Sequence, residues 1–184
     1  MEMNELIEKA KKGDKDSFTQ IILMMKDNLY RIARMRFQNE DDINEVVQLT
    51  IIEVYNSLRK LRDNKKFKSW VIKILINYCN KQFKKKSKDE KEQNIEIDIE
   101  EKNDEIARKI DQIDFYNLIK TLDYKERLSL MLFYAEDLSY KEISKILKEP
   151  ESTIRNRNVH SDREFNKYFS GIGRISRQTK LRTL

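Results

Sequence analysis

The chain has 184 residues, 39% hydrophobic and 38% charged, with 3 Gly, 1 Pro, 1 Cys and a net charge of +6. So few turn-forming residues amid so much charge argue against a β-rich fold, and the lone Cys79 rules out an internal disulfide framework. No apolar run approaches the ~18 residues of a transmembrane helix, and Met1 to Lys12 lack the apolar stretch of a signal peptide, so the expectation is a soluble, cytoplasmic, all-α protein.

The charge is unevenly spread: residues 1–86 carry a net +7, residues 87–111 a net −5 and residues 112–184 a net +4. This pattern predicts two small helical domains joined by a flexible acidic linker. In the first, 1–86, a short helix is expected from about Asn4 to Lys12, stopping at Gly13. A second starts at Asp14, a fair N-cap, and runs to Phe37 with Phe18, Ile21, Ile22, Met25, Leu29, Ile32 and Ala33 at helical spacing. A third follows Asn39, with Glu40, Asp41 and Asp42 suited to the positive end of the helix dipole. Its apolar stripe is Ile43, Val46, Val47, Ile51, Val54 and Leu58. A fourth is expected from about Phe67 to Lys85 with Trp70, Val71, Ile74, Leu75 and Tyr78 inward.

Residues 87–104 are read as the acidic linker, since Ile95, Ile97 and Ile99 are its only apolar side chains; their period of two would also fit a strand. The second domain, 105–169, again has four expected helices. The first spans about Glu105 to Thr121. The second opens on the capping-box pattern Asp123-Tyr124-Lys125-Glu126, and the third on Ser139-Tyr140-Lys141-Glu142. After the turn Lys148-Glu149-Pro150-Glu151 a last helix starts at Ser152 and runs toward Phe169. Two short capped helices around a tight turn are the outline of a helix-turn-helix. The tail, 170–184, holds four basic residues without apolar periodicity and is expected to be disordered.

Two stretches suggest nucleic-acid chemistry. Lys65 to Lys86 holds eight lysines (65, 66, 68, 73, 81, 84, 85 and 86) and no acid, interleaved with Phe67, Trp70, Tyr78 and Phe83. Lysines displace counterions from phosphates, and aromatic rings offer unpaired bases a stacking surface. The bland reading is a solvated basic face over core aromatics. In the helix-turn-helix, Thr153, Arg155, Asn156 and Arg157 open the second helix, where side chains reach base edges; Arg suits guanine and Asn suits adenine. The bland reading there is a plain helical hairpin. Catalytic motifs are missing: with one His, His160, and one Cys, no His/Cys metal cluster can form, and there is no Gly-rich phosphate loop or nucleophile elbow. No cofactor, metal, small-molecule substrate or enzymatic activity is expected. Cys79 reads as packing, and the Glu40-Asp41-Asp42 cluster as dipole compensation.

The order of parts resembles the extracytoplasmic-function (group IV) sigma factors of bacterial RNA polymerase over roughly residues 5–169. Four stretches carry the resemblance. Asp42 to Gln48 is similar to the family's acidic segment ending in Val-Gln. Phe67-Lys68-Ser69-Trp70-Val71, with Ile74 and Asn77, is similar to its Phe-x-x-Trp-Leu-x-x-Ile-x-x-Asn. Leu138 to Ser144 resembles Leu-Ser-Tyr-x-Glu-Ile-Ala, and Thr153 to Arg157 resembles Thr-Val-x-Ser-Arg.

The resemblance implies that 1–86 is a region-two domain. Asp42, Asn44, Glu45 and Gln48 would dock on the β′ coiled coil of core RNA polymerase. Lys65, Lys66, Phe67, Lys68, Trp70, Lys73, Asn77, Lys81 and Lys84 would melt and read the minus-ten promoter element. It implies that 105–169 is a region-four domain touching the β flap, with Ser152, Thr153, Arg155, Asn156, Arg157 and Arg163 reading the minus-thirty-five element. An anti-sigma factor is a further implied partner, the chain being a monomer when free or a heterodimer with that factor. One departure stands out. After Arg157 the family continues Leu-x-Arg-Ala-Arg, whereas this chain reads Asn158-Val159-His160-Ser161-Asp162-Arg163. That leaves two readings for the end of the recognition helix: compensation by the basic tail, or an impaired module.

Two other classes fit parts of the pattern. A dimeric helix-turn-helix regulator would bind a palindromic duplex but has no need of the Lys65–Lys86 track. A protein–protein adaptor needs only the amphipathic helices.

Overall fold

The boundaries of the helices follow local chemistry. In this computed structural model, which describes residues 2–92 and 122–159, α1 is Met3–Lys11 and gives way at Lys12 to Gly13, whose φ of 102° suits a residue without Cβ. The next residue, Asp14, caps α2 (Lys15–Arg34): its carboxylate accepts from the backbone N–H of Asp16 and Ser17. Asn39 does the same for α3 (Glu40–Ser57), accepting from Asp41 N–H at 2.7 Å, with three acids in the first turn. Two short 3-10 turns, Leu58–Lys60 and Asn64–Lys66, lead into α4 (Phe67–Glu92). That helix outruns the expected end at Lys85 and takes in residues 87–92, expected in the linker. Ser87-Lys88-Asp89-Glu90-Lys91-Glu92 contain no Gly, Pro or β-branched residue to stop it.

The chain divides into two units, Met1–Ile99 and Glu100–Leu184. In the first, α1 packs on α2, α2 on α3, and α3 on α4. Their shared core is Leu6 and Ile7 of α1; Ile21, Met25, Leu29, Ile32 and Ala33 of α2; Ile43, Val46, Val47 and Val54 of α3; and Phe67, Val71, Ile72, Leu75, Ile76 and Cys79 of α4. Phe18, Ile22 and Ile51, expected in the stripes, are only half-buried, and Thr50 lies fully buried in α3, its hydroxyl donating to the Val46 carbonyl. The expected inward face of α4 is corrected by one position. Val71 and Leu75 are buried as expected, but their companions are Ile72, Ile76 and Cys79, while Trp70, Ile74 and Tyr78 are half-buried. Both rows share 71 and 75, so periodicity alone does not choose between them; packing against α3 does.

In the second unit, α5 (Tyr124–Leu130) and α6 (Tyr140–Leu147) each open with a complete capping box, Asp123/Glu126 and Ser139/Glu142. Between them the chain forms a π-helical turn, Met131–Ala135, then a positive φ at Asp137. At the end of α6, Lys148 adopts the left-handed conformation, and Glu149 N–H reaches back to the Ser144 carbonyl at 3.1 Å. Pro150 then precedes α7, helical over residues 151–159. The buried apolar residues of this unit are Leu128, Leu130, Met131, Leu132, Leu138, Ile143, Ile146 and Ile154. All described elements are helical. The expected helix from Glu105 to Thr121, the stretch 93–104 and the tail lie outside the described residues. No helix among the described residues is long and apolar enough to cross a membrane, and among them no group of three or more His, Cys, Asp or Glu could hold a metal ion.

Candidate nucleic-acid and polymerase interface

Most of the α4 residues singled out above fall on one side of the helix; Phe67 is core and Lys68, half-buried, falls on the core side. At about 100° per residue, Trp70, Lys73, Asn77, Lys81 and Lys84 share a narrow stripe, and Lys66 extends it one turn toward the N-terminus. The core row of Val71, Ile72, Leu75, Ile76 and Cys79 lies on the other side. Lys81 and Lys84 are exposed, and Trp70, Lys73 and Asn77 half-buried. Trp70 is braced by Phe67, its ring centroid 6.1 Å away, and Lys81 lies 5.4 Å from the centre of Tyr78. Phe67 itself is 2% exposed, so it supports the site rather than touching a ligand. Lys65 and Lys66 are exposed in the turn ahead of α4; Lys66 lies 3.6 Å from Asp63. Lys68 is half-buried. The arrangement is a basic track with one indole set into it, which can hold a phosphate chain and stack an unpaired base.

Lys86 is different, because it turns back to form an ion pair with Asp42 of α3. Asp42 is thereby 8% exposed and works as an internal bridge. Of the other residues expected to face the polymerase, Asn44 accepts from the Tyr30 hydroxyl at 2.9 Å, and Glu45 accepts from Gln82 Nε2 at 2.6 Å. Gln48 is exposed. Glu45 and Gln48 share a stripe of α3 with Ile52 and Tyr55, which are 57% and 52% exposed. The sequence reading missed these two, although apolar residues off the core stripe are a legible signal. Cys79 is buried, which pushes its thiol up to about 12, and it contributes packing only.

In the helix-turn-helix, Ser152, Thr153, Arg155 and Asn156 are exposed at the start of α7, and Ile154 is fully buried beneath them. Arg155 meets Glu151 at 3.2 Å and lies over the Tyr140 ring. Arg157 turns inward. Its guanidinium meets Glu149 at 2.7 Å with both side chains 14% exposed, and Lys125 of α5 meets the other oxygen of Glu149 at 2.8 Å. Desolvation pushes the Glu149 carboxyl up, but Arg157 and Lys125 outweigh it and hold the group below its ordinary value. Arg157 thus ties the recognition helix to α5 and the turn. Glu149 was not legible as its partner, 8 positions away, nor Lys125 as the second cation on Glu149, 24 positions from that carboxylate. The departure after Arg157 begins inside the fold: Asn158 is fully buried and accepts from Ser129 Oγ at 2.7 Å. His160 to Arg163 lie outside the described residues.

Comparison with known proteins yields two family matches: Sigma-70 region 2 over residues 21–89 and Sigma-70, region 4 over residues 112–157. The chain is 27% identical to the ECF RNA polymerase sigma factor SigW of Bacillus subtilis, covering 89% of this chain and 94% of that one. It is 29% identical to the RNA polymerase sigma factor SigV of the same organism, covering 81% and 89%. Two solved structures share the fold. The sigma factor RpoE in complex with the anti-sigma factor NepR, from Bartonella quintana, matches at a TM-score of 0.69 and 19% identity, over 83% of this chain and 96% of that one. CnrH in complex with the cytosolic domain of CnrY matches at 0.60 and 17%, over 91% and 97%.

Proposed function

We propose, since this chain belongs to the extracytoplasmic-function (ECF) sigma factors of the sigma-70 family, that it binds core RNA polymerase and directs it to a two-part promoter. In this reading the domain 1–86 docks on the β′ coiled coil through the α3 stripe of Glu45, Gln48 and Ile52, with Asp42 and Asn44 holding that helix in place. The α4 track melts and reads the minus-ten element. An unpaired base leaves the stack at a cost of roughly a few kcal/mol, and stacking on Trp70 with phosphate contacts from Lys66, Lys73, Lys81 and Lys84 offsets that cost. Residues 87–104 connect to the domain 105–169, which touches the β flap and reads the minus-thirty-five element through Ser152, Thr153, Arg155 and Asn156. Arg157 serves as the anchor of that helix. The tail, 170–184, adds basic charge. A function of this kind places the chain in the cytoplasm with its polymerase, and an anti-sigma factor is its natural inhibitory partner, as in the RpoE–NepR complex.

The observation that carries this reading is the α4 stripe, where aromatic and basic side chains line up opposite the core. The test is run-off transcription with bacterial core polymerase and a fragment library of the source genome. Specific transcripts that disappear with Trp70→Ala, while core affinity stays within about twofold, support it, because truncating a stacking residue removes about 1–3 kcal/mol of base contact. Core binding without transcripts refutes promoter reading. Absence of core binding by a folded sample refutes the whole assignment and favours the dimeric regulator.

A further inference from the structure

Helix α1 lies outside the region-2 match, which starts at residue 21, yet it is fastened to the segment that delivers α4. Asn64 is the fastening point. Its Nδ2 donates to Glu8 Oε1 at 2.6 Å, and its Oδ1 accepts from Lys11 Nζ at 2.6 Å. Lys11 also meets Glu8 at 3.3 Å, which closes a triangle of three polar side chains. Charge fixes the sense of the amide: turned over, it would set oxygen against the carboxylate and NH2 against the ammonium. A second tie lies alongside, where Arg59 Nε donates to the Lys11 carbonyl at 3.1 Å, an acceptor left open by the end of α1. Leu6 and Ile7, 2% and 0% exposed, root α1 in the core, so it is a fixed support.

The segment so held, Leu58 to Lys66, has only two three-residue 3-10 turns of its own, and such turns are not stable in isolation. It carries Lys65 and Lys66 and ends where Phe67 opens α4. A segment left free would lose conformational freedom each time a strand bound, and that loss would weaken binding.

We propose that α1 positions the strand-reading segment: Glu8 and Lys11 hold Asn64, and so fix the turn that carries Lys65 and Lys66 just ahead of the Trp70 stripe before DNA arrives. This rests on the reading of α4 as the helix that takes the unpaired minus-ten strand. Glu8, Lys11 and Asn64 are positioning residues and touch no base. A role for α1 confined to completing the core makes a different forecast, since Leu6 and Ile7 would then suffice and the polar triangle would be dispensable.

The experiment uses the full chain with core polymerase on a promoter recovered by run-off transcription. It reads strand opening by permanganate oxidation of unpaired thymines, core affinity, and amide hydrogen exchange. Asn64→Ala and Glu8→Leu are expected to slow opening about tenfold, with core affinity unchanged and amides of Leu61 to Lys66 exchanging faster while those of α2 and α3 do not. Glu8→Gln keeps an oxygen for Asn64 Nδ2 and is expected to open the promoter within about twofold of wild type. Opening at the wild-type rate by Asn64→Ala and Glu8→Leu overturns the proposal alone. So does Glu8→Gln failing as badly as Glu8→Leu. A wild-type chain that binds core but opens nothing overturns both this proposal and the minus-ten reading beneath it.

Discussion

At the scale of single residues, the same kind of side chain takes opposite roles according to what stands across from it. Arg155 and Arg157 are two positions apart on α7, yet one is exposed and the other meets Glu149 with 14% exposure on each side. Phe67 and Trp70 differ likewise: the Phe is core, and the indole stands half-buried on the basic stripe. Glu149 also sets a pH dependence. Its folded-state value lies below the ordinary 4.5, so its contribution to stability is complete above that pH and is lost as pH falls through the folded value. Glu149→Gln should destabilise the second domain by about 1–3 kcal/mol at neutral pH, because it leaves Arg157 buried without its countercharge. Thermal melts followed through amide signals of α7 in the full chain should show the gap from wild type closing as pH drops below 4.5. A gap of constant size from pH 7 to 3 would refute this account.

At the scale of elements, the helix starts were the most legible part of the chain. Asp14, Asn39, Asp123 and Ser139 are all caps in the structure, because capping depends on residues within three positions of each other. Ser139→Ala should therefore cost the second domain about 1 kcal/mol, and Lys148→Gly, at a left-handed backbone position, should restore about half of that or more. Denaturant titration of the single and double variants checks both signs. The phase of α4 and its far end were less legible. Trp70, Ile74 and Tyr78 make as good an apolar row as Ile72, Ile76 and Cys79, and only the neighbouring helices distinguish them. Beyond Lys85, Ser87 to Glu92 resemble a solvated linker in composition, although nothing in them forbids a helix.

At the scale of the whole molecule, charge provides the test of the division of labour proposed for the two units. Replacing Lys81 and Lys84 by Gln should lower the slope of log affinity against log salt for single-stranded minus-ten DNA by about one to two in the holoenzyme, since each phosphate contact contributes about 0.7. Core affinity should not change; an unaltered salt slope would show that α4 does not follow the phosphate chain. The sequence by itself determined that the protein is all-α, that two basic helical modules flank an acidic stretch, and where most described helices begin, because composition, charge blocks and caps are local properties. It also carried the four motifs of the sigma-factor resemblance, which the region-2 and region-4 matches bear out. Only the tertiary structure decided that Asp42 and Arg157 serve inside the fold, that Trp70 faces away from the core row, and that α1 grips Asn64. Each of these depends on how neighbouring elements pack: Lys86 of α4 reaches Asp42 of α3, Glu149 in the turn before α7 meets Arg157, Asn64 meets α1, and the core takes Ile72 and Ile76 in place of Trp70.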